Sequence, residues 1–354
     1  MSDTSWTETV GAGQLCDPQQ QIALGLPRKV PQRRVDFALE LAASLSGRLP
    51  MPGGGQTLVL WDVLSRVAAY DLTVARTLEP HVDALAILSE ARLARTGLDL
   101  SEIGADGRST WGVFAAEGPD GRLTAREIAG EWVLDGVKPW CSLAGRLSHA
   151  LVTAWTSETT RQLFAVALGP DVVPRTDAWA SRGLIEIPSA PAEFKGVRAA
   201  PVGGEGWYLV RPGFWWGGIG VAACWYGGVA GVARRLAPKP GSRRAPDQIA
   251  HLQLGQADTL LYAVRAALGE AASCVDDAGQ DHGEVLARRA RALTRSTVDE
   301  VLAITARACG PAPLTLEEEH SRRVADLSVY VRQDHGERDL AALGAALMAS
   351  GPGS

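Results

Sequence analysis

Apolar residues recur at helical intervals over the first hundred residues of the chain. Between residues 35 and 48 the spacing of three and four positions predicts a helix. A glycine- and proline-rich break at residues 50–55 ends it, and the helical spacing returns over residues 57–70, with Gln56 or Thr57 as the cap. Residues 71–94 indicate one or two further helices around Pro80.

The pattern changes at about residue 110. Short apolar runs separated by glycine and proline follow as far as residue 212, which is typical of a compact, barrel-like β-domain. The predicted strands are 111–115, 131–134, 150–155, 163–168 and 193–197. Asp135-Gly136 indicates a hairpin turn, after which residues 137–141 are expected to continue as a strand.

From residue 214 the helical spacing returns. Residues 216–236 are rich in Gly and Ala, and residues 250–275 and 284–309 place Leu, Ala and Val on one face and Glu and Arg on the other. Such helices predict an antiparallel bundle. The fold class is therefore α+β, with an N-terminal helical domain (1–108), a central β-domain (109–213) and a C-terminal helical bundle (214–354).

Composition excludes several classes of function. The chain has 354 residues and a formal net charge of −5, and no cluster of Lys and Arg stands out, which argues against nucleic-acid binding as its main task. Five cysteines without a CxxC pair, and six histidines without metal-ligand spacing, predict no disulfide framework and no metal site. No apolar run reaches the ~20 residues of a membrane span. The polar N-terminus lacks a signal-peptide pattern, so we expect a cytoplasmic protein.

Two side chains near the end of the predicted hairpin suit a planar ligand. Trp140 and Ser142 are two positions apart, so an extended chain would turn them to the same side. A flat ring beside a hydroxyl offers a wall and a hydrogen-bond donor to a planar cofactor such as a flavin. The alternative is an aromatic-rich hairpin that packs into the core.

The surrounding residues resemble a known family. The motif W-x-L-x-G-x-K-x-W-x-S over residues 132–142 resembles the middle domain of the acyl-CoA dehydrogenase family. Residues 113–119 are similar to the strand and turn that precede this motif in the family. Residues 249–253, Gly310, Asp326 and residues 333–336 keep the spacing of its C-terminal motifs. The likeness extends from about residue 35 onward and includes the order of helices, β-domain and helices.

The resemblance implies an FAD cofactor. Trp140 and Ser142 would flank the flavin ring, with Cys141 between them. Ala115 and Ala116, which follow Phe114 at the matching strand end, would offer backbone amides to the pyrimidine edge.

The resemblance also places the diphosphate and adenine contacts. Ser242 occupies the position of the family's diphosphate arginine, so Arg243 or Arg244 would supply that charge after a shift of one or two residues. Gln253 matches an adenine-side position. Gly310 matches the glycine turn, with Pro311 in place of its second glycine.

The candidate catalytic residues come from the last motif. Counted from Gly310 and Asp326, Asp334 stands where the family places its general-base Glu, and a carboxylate whose pKa is raised by burial suits that task. His335 would share this role or hold the carboxylate. The alternative is that Asp334 belongs to a charged helix face.

The substrate side is less defined. Ala222 aligns with the arginine that faces CoA in the family, so a CoA thioester, a carrier-protein thioester and a substrate without a thioester all remain open. Phe214 and Trp216 would line a substrate pocket or pack between the β-domain and the bundle. His81 would reach the same cavity or belong to the start of a helix.

The implied function is an FAD-dependent oxidoreductase. It would remove an α-proton and a β-hydride from an acyl thioester or a related small substrate, and pass electrons to an electron-transfer flavoprotein or to oxygen. The family assembles as homodimers or homotetramers. One alternative is a flavin-dependent monooxygenase that uses reduced flavin supplied from outside, and another is a flavin-free, non-catalytic paralogue that acts as a scaffold.

Overall fold

The computed structural model describes residues 24–119, 121–237, 245–277 and 283–349. The first helices are α1 (Arg34–Leu45), α2 (Thr57–Tyr70) and α3 (Leu72–Leu93). The strands are β1 (Trp111–Phe114), β2 (Leu123–Ile128), β3 (Glu131–Lys138), β4 (His149–Trp155), β5 (Arg161–Ala167), β6 (Val172–Pro174) and β7 (Ala192–Val202). The later helices are α4 (Trp207–Val210), α5 (Gly213–Ala233), α6 (Gln248–Asp277), α7 (Gly283–Cys309), α8 (Ala312–Leu316), α9 (Glu318–Tyr330) and α10 (Glu337–Ala349).

The order of helices, strands and helices confirms the predicted α+β fold class. Helix α2 has the predicted bounds, and α3 is one continuous helix that contains Pro80. The predicted cap of α2 differs, because Gln56 makes no capping hydrogen bond with its side chain. Asp276 on α6 instead accepts hydrogen bonds from the backbone N–H groups of Gly55 (3.0 Å) and Thr57 (2.9 Å). The exact domain boundaries stay a prediction.

The strands form a closed, barrel-like sheet. β2, β3, β7, β5 and β4 follow one another, and β4 completes the ring with a single parallel pairing between Trp155 and Thr124 on β2. β1 lies parallel to the other part of the same β4 edge. β2 was not among the predicted strands, because Arg126 and Glu127 interrupt its apolar pattern.

The predicted turn at Asp135-Gly136 is wrong. The turn between β2 and β3 lies at Ala129-Gly130, where both residues have positive φ angles (53° and 86°), as a tight hairpin of this type requires. Asp135 and Gly136 lie inside β3 at a register shift against β7, so the glycine serves a β-bulge.

The predicted strand over residues 137–141 is also wrong in its second half. β3 ends at Lys138, where Pro139 follows and has no N–H group to donate to a neighbouring strand. Trp140 then takes a left-handed backbone conformation, with φ of 60°. Strand alternation therefore does not set the direction of Trp140 and Ser142.

Helix α5 packs closely against α2. Gly227 contacts the Ser65 backbone, and the Ser65 hydroxyl donates a hydrogen bond to the Ala223 carbonyl (2.9 Å). Trp225 on the same helix is fully buried. The glycines that the sequence showed in residues 216–236 thus bring two helix backbones together.

Buried charges join the β-domain to both helical parts. Asp326 on α9 accepts a hydrogen bond from the Leu184 N–H (2.6 Å), in the loop between β6 and β7. Arg322, one turn earlier, donates to Asp71 (2.8 Å) at the start of α3. Arg323 donates to the carbonyls of Ala69 and Tyr70 at the end of α2, where a cation favours the helix dipole.

None of the helices in these described residues combines the length and the apolar character that crossing a membrane requires.

The contact between α2 and α5 generates the first prediction. A Cβ at Gly227 would overlap the Ser65 carbonyl, and neither helix backbone can yield without disturbing the core. We expect Gly227→Ala to lower the free energy of unfolding by about 3 kcal/mol, measured by urea denaturation. Gly269→Ala on α6 is the control, because open space surrounds Gly269 and the change should stabilise its helix by ~0.5–1 kcal/mol. Equal stability of the two variants would contradict the proposed tight contact.

Candidate functional site: a cavity between the β-domain and the helices

A cavity of about 640 Å³ lies where the β-domain meets the helices. Its volume is in the range of sites that bind cofactors and drug-sized molecules. The β-domain and its loops supply Val113, Ala116, Glu117, Trp140, Ser142, Trp179, Leu184 and Ser189. The helices and the segment after α9 supply Arg76, Arg291, Val329, Tyr330, Arg332, Gln333 and His335.

Trp140 forms part of the cavity wall. The Trp140 side chain is 54% exposed, whereas the next residue, Cys141, is buried. Backbone hydrogen bonds from Cys141 to Ala190 (3.0 Å) and from Leu143 to Pro188 (3.0 Å) hold the segment in place. A non-glycine residue with positive φ costs of the order of 1–3 kcal/mol and persists only where the surroundings enforce it.

A buried ion pair anchors the strand end that precedes Trp140. Lys138 is fully buried, and its ammonium group donates to Glu117 (2.6 Å) and to the Thr153 hydroxyl (2.8 Å). Burial lowers the pKa of Lys138, and the hydrogen bond that Lys138 donates to Glu117 opposes this change. Burial works to raise the pKa of Glu117, but hydrogen bonds and charge attraction from Lys138 and Arg161 outweigh it and leave that pKa lowered. The ion pair thus favours the charged form of each group, whereas burial opposes it.

Ser142 lies where the β-domain meets helix α3. Its hydroxyl accepts a hydrogen bond from Arg76 on α3 (3.0 Å) and lies 2.7 Å from the Ser189 hydroxyl. Because Arg76 can only donate, the Ser142 proton is directed to Ser189 or into the cavity.

Arg76 is positioned by a buried carboxyl group. Glu79, one turn along α3, lies 3.6 Å from the Arg76 guanidinium and accepts a hydrogen bond from the Tyr330 hydroxyl (3.2 Å). Burial raises the pKa of Glu79 to about 7, and Arg76 only partly opposes this rise. The protonation state of Glu79 therefore changes near neutral pH, directly behind the cavity wall.

The two candidate catalytic residues lie in different surroundings. The Asp334 side chain is buried and does not line the cavity; its carboxylate lies 3.3 Å from Arg295 on α7 and accepts from the Gly336 N–H (2.9 Å). His335 lines the cavity, with a side chain that is 69% exposed. Asp339 fixes its backbone by accepting from the His335 N–H (3.0 Å).

The three residues predicted for the substrate pocket lie outside the cavity lining. His81 is buried and neutral, because it accepts from the Trp111 N–H (3.2 Å), lies 3.0 Å from the Ser46 hydroxyl, and has a pKa that burial lowers to about 4. Phe214 packs edge-on against Tyr208. Trp216 lies against Gly53 and lines a separate void of about 20 Å³.

Of the residues predicted to contact the flavin ring, some line the cavity and others are buried in the core. Ala116 lines the cavity together with Trp140 and Ser142, whereas Phe114 and Cys141 are buried in the core. Burial raises the pKa of the Cys141 thiol to about 12. Ala115, partly buried, accepts a hydrogen bond from Thr153 through its carbonyl (3.4 Å).

The remaining predicted contacts concern the diphosphate and the adenine. Gln253 lies on α6, outside the cavity lining. Gly310, with φ of 66°, ends α7 and donates a hydrogen bond to the Ala306 carbonyl (3.0 Å). Arg243 and Arg244 lie outside the described residues.

Sequence reasoning missed Arg76, Glu79, Tyr330 and Arg291. A signal for two of them was present, since Arg76 and Glu79 are charged residues within an apolar helix and lie three positions apart, on one face. Within the part of the chain that the structure describes, no group of three or more His, Cys, Asp or Glu side chains is arranged to hold a metal ion.

Solved structures share this fold at low sequence identity. Glutaryl-CoA dehydrogenase from Mycobacterium smegmatis, in complex with FADH2, is 16% identical, with a TM-score of 0.75 over 99% of this chain and 96% of its own. Dibenzothiophene monooxygenase TdsC from Paenibacillus sp. A11-2, in complex with FMN and indole, is 16% identical, with a TM-score of 0.70 over 88% and 96%. KijD3, in complex with FMN and dTDP-3-amino-2,3,6-trideoxy-4-keto-3-methyl-D-glucose, is 17% identical, with a TM-score of 0.70 over 96% and 94%.

No protein-family profile and no curated protein sequence matches the chain. The structural likenesses therefore show the fold, which is that of the acyl-CoA dehydrogenases and confirms the predicted architecture.

The buried carboxyl group generates the second prediction. The pKa of Glu79 in the folded protein, about 7, is above its ordinary value of 4.5, so protonation of Glu79 stabilises the fold fully below pH 4.5 and this stabilisation is lost as the pH rises through 7. Glu79→Gln removes the ionised form. We therefore expect the variant to gain stability relative to the wild type between pH 5 and pH 8.5, by up to ~3 kcal/mol in urea denaturation. A stability difference that is independent of pH would contradict this.

Proposed function

We propose that this protein is a flavin-dependent oxidoreductase in which the isoalloxazine ring lies against the indole of Trp140. The observation that carries this proposal is the exposed indole on the wall of a large cavity, next to the Ser142 hydroxyl. Backbone strain of this kind clusters at active sites and ligand sites, and the face of an exposed indole offers a stacking surface to a planar ring. The exposed Ala116 adds a small residue whose backbone N–H a flavin edge can approach.

FMN and FAD share the isoalloxazine ring that we propose for this cavity. The dehydrogenase neighbour carries FADH2, whereas TdsC and KijD3 carry FMN. Retention of FAD would require Arg243 or Arg244, Gln253 and Gly310 to hold the diphosphate and adenine. Titration with each cofactor decides between them.

We further propose that the reaction is monooxygenation with reduced flavin supplied from outside. A bound flavin supplies two-electron chemistry, and in its reduced form it reacts with oxygen. His335 faces the cavity and can hold or release a proton at its imidazole. Arg76 orients the Ser142 hydroxyl, while Leu184, Val329 and Trp179 form an apolar part of the lining.

Dehydrogenation of an acyl thioester is the second candidate. The spacing of Asp334 from Asp326 and Gly310 supports it, as does the dehydrogenase among the structural neighbours. For this reaction Asp334 would have to leave Arg295 and turn its carboxylate toward the cavity. An electron-transfer flavoprotein would then be the natural acceptor.

We also propose that the protein is a homodimer or homotetramer. Ile249, Leu252 and Tyr262 expose 54–70% of their surface along α6, and a second copy of the chain would cover these apolar side chains. Gln253 on the same helix would then be available to a flavin of a neighbouring subunit. The cytoplasmic location stays a prediction.

The third prediction tests the flavin site. Removing the stacking surface by Trp140→Ala should weaken FMN or FAD binding about tenfold or more, because aromatic stacking contributes of the order of 1–3 kcal/mol. Trp140→Phe is the matched control and should retain most of the affinity. Fluorescence titration with both cofactors measures the dissociation constants. Equal affinities for the wild type and the alanine variant would remove the proposed contact, and a protein that takes up no flavin would leave the scaffold function.

The fourth prediction separates the two reactions. Under anaerobic conditions, butyryl-CoA and octanoyl-CoA should leave the absorbance band of the bound flavin unchanged, and the chemically reduced protein should consume oxygen when air is admitted. Asp334→Asn should leave oxygen consumption unchanged, because the carboxylate does not face the cavity. Bleaching of the flavin by either thioester, lost in Asp334→Asn, would instead establish dehydrogenation with Asp334 as the base.

A further inference from the structure

We propose that Arg291 binds an anionic group, a carboxylate, on the organic substrate of this cavity. The proposal rests on the proposed function and specifies its substrate class. Nothing in the function derived above requires a charged substrate. Arg291 differs from the other charged residues of the lining in having no oppositely charged partner close by in the described part of the chain.

Arg291 is held in a fixed position on α7. Its guanidinium donates to the carbonyls of Gly218 (3.2 Å) and Gln333 (3.0 Å) and lies 4.7 Å from the centre of the Trp225 ring. An arginine fixed by two backbone carbonyls and an aromatic face has lost most of its side-chain freedom before a ligand arrives. Such preorganisation favours ligand binding, because the entropy cost is already met.

Arg291 lacks a close counter-charge. Within the described residues, no carboxylate oxygen lies within 4 Å of its guanidinium, and Asp334, Asp339 and Glu79 act on it only from farther away. Burial lowers the pKa of Arg291 relative to that of a free side chain, but an arginine stays charged in proteins. A partly buried cation without a paired anion is stabilised by a ligand that supplies the anion.

The other charged groups of the lining are compensated. Glu117 is bound by Lys138 (2.6 Å) and Arg161 (3.1 Å), and Arg332 is paired with Asp299. Arg76 lies 3.6 Å from the Glu79 carboxyl group and donates a hydrogen bond to the Ser142 hydroxyl. Among the charged groups of the described lining, Arg291 is therefore the one without an oppositely charged side chain within 4 Å. A carboxylate matches the planar, forked donors of a guanidinium.

The position of Arg291 favours the substrate as the source of the anion. Its hydrogen bond to the Gln333 carbonyl fixes it to the segment that carries His335, which is the cavity-facing group able to move a proton. A carboxylate on Arg291 would therefore lie near the proposed reaction site. The same anion chemistry is offered by the phosphate of a flavin cofactor, so the experiment must distinguish the two sources.

The experiment compares carboxylates with their neutral amides. Acetate, benzoate and indole-3-carboxylate are titrated against acetamide, benzamide and indole-3-carboxamide by calorimetry, with flavin-loaded and flavin-free protein. We expect the wild type to bind at least one carboxylate about tenfold more tightly than its amide. Arg291→Gln should remove this preference and leave amide binding unchanged, whereas Arg291→Lys should keep part of it.

Arg288→Gln is the matched control. Arg288 lies three residues earlier on α7 and also stacks on a tryptophan of α5, Trp215 (5.0 Å), but it has a carboxylate partner in Glu284 (2.9 Å) and does not line the cavity. It should keep the full carboxylate preference. Circular dichroism checks that each variant folds; if Arg291→Gln does not fold, the wild-type preference and the lysine variant still decide.

Three results would overturn the proposal. In the first, the wild type binds no carboxylate more tightly than its amide. In the second, Arg291→Gln keeps the preference for the carboxylate. In the third, Arg291→Gln weakens the binding of FMN about tenfold but not that of riboflavin, which would assign Arg291 to the cofactor phosphate. Failure of the proposed flavin site is a separate result, because it would be seen as absent riboflavin binding in the wild type. The titration of carboxylates with flavin-free protein does not depend on flavin binding.

Discussion

The left-handed backbone at Trp140 is the constraint on which the site depends. It turns a large aromatic ring out of the β-domain and into the cavity, just beyond the point where the pairing of β3 with β7 ends. The conformation is imposed by what surrounds it: Pro139 ends the strand, the Lys138–Glu117 pair anchors the preceding residue, and Cys141 and Leu143 donate hydrogen bonds to the facing loop. The strain is thus local, while the interactions that maintain it extend across the β-domain.

The helices complete the site because their backbones approach closely. Gly227 allows α5 to lie directly on α2, and this places Trp225 beneath Tyr330 and Arg291. The resulting chain of contacts runs from Ser142 through Arg76 and Tyr330 to Trp225 and Arg291. One wall of the cavity therefore comes from residues that are distant in sequence but rigidly connected, so a ligand meets a preformed surface.

Much of the fold could be predicted from the sequence, and the site only in part. The period of apolar residues is a property of each segment alone, so the bounds of α2 and the order of helices and strands were predicted correctly. The structural role of Gly136 could not be predicted from its neighbours in sequence, because a glycine with positive φ occurs in a β-bulge as well as in a hairpin turn. Which of Asp334 and His335 faces the cavity depends on Arg295 from another helix, and no local pattern contains that information. Trp140 and Ser142 were predicted to act together and both line the cavity, although strand alternation is not what brings them there.

A crystal structure of the protein soaked with FMN tests the central claim most directly. The account predicts the isoalloxazine ring in van der Waals contact with the Trp140 indole, about 3.5–4 Å away, with a ring heteroatom within hydrogen-bond distance of the Ser142 hydroxyl. Flavin density elsewhere, with the indole uncovered or turned back into the β-domain, would contradict it.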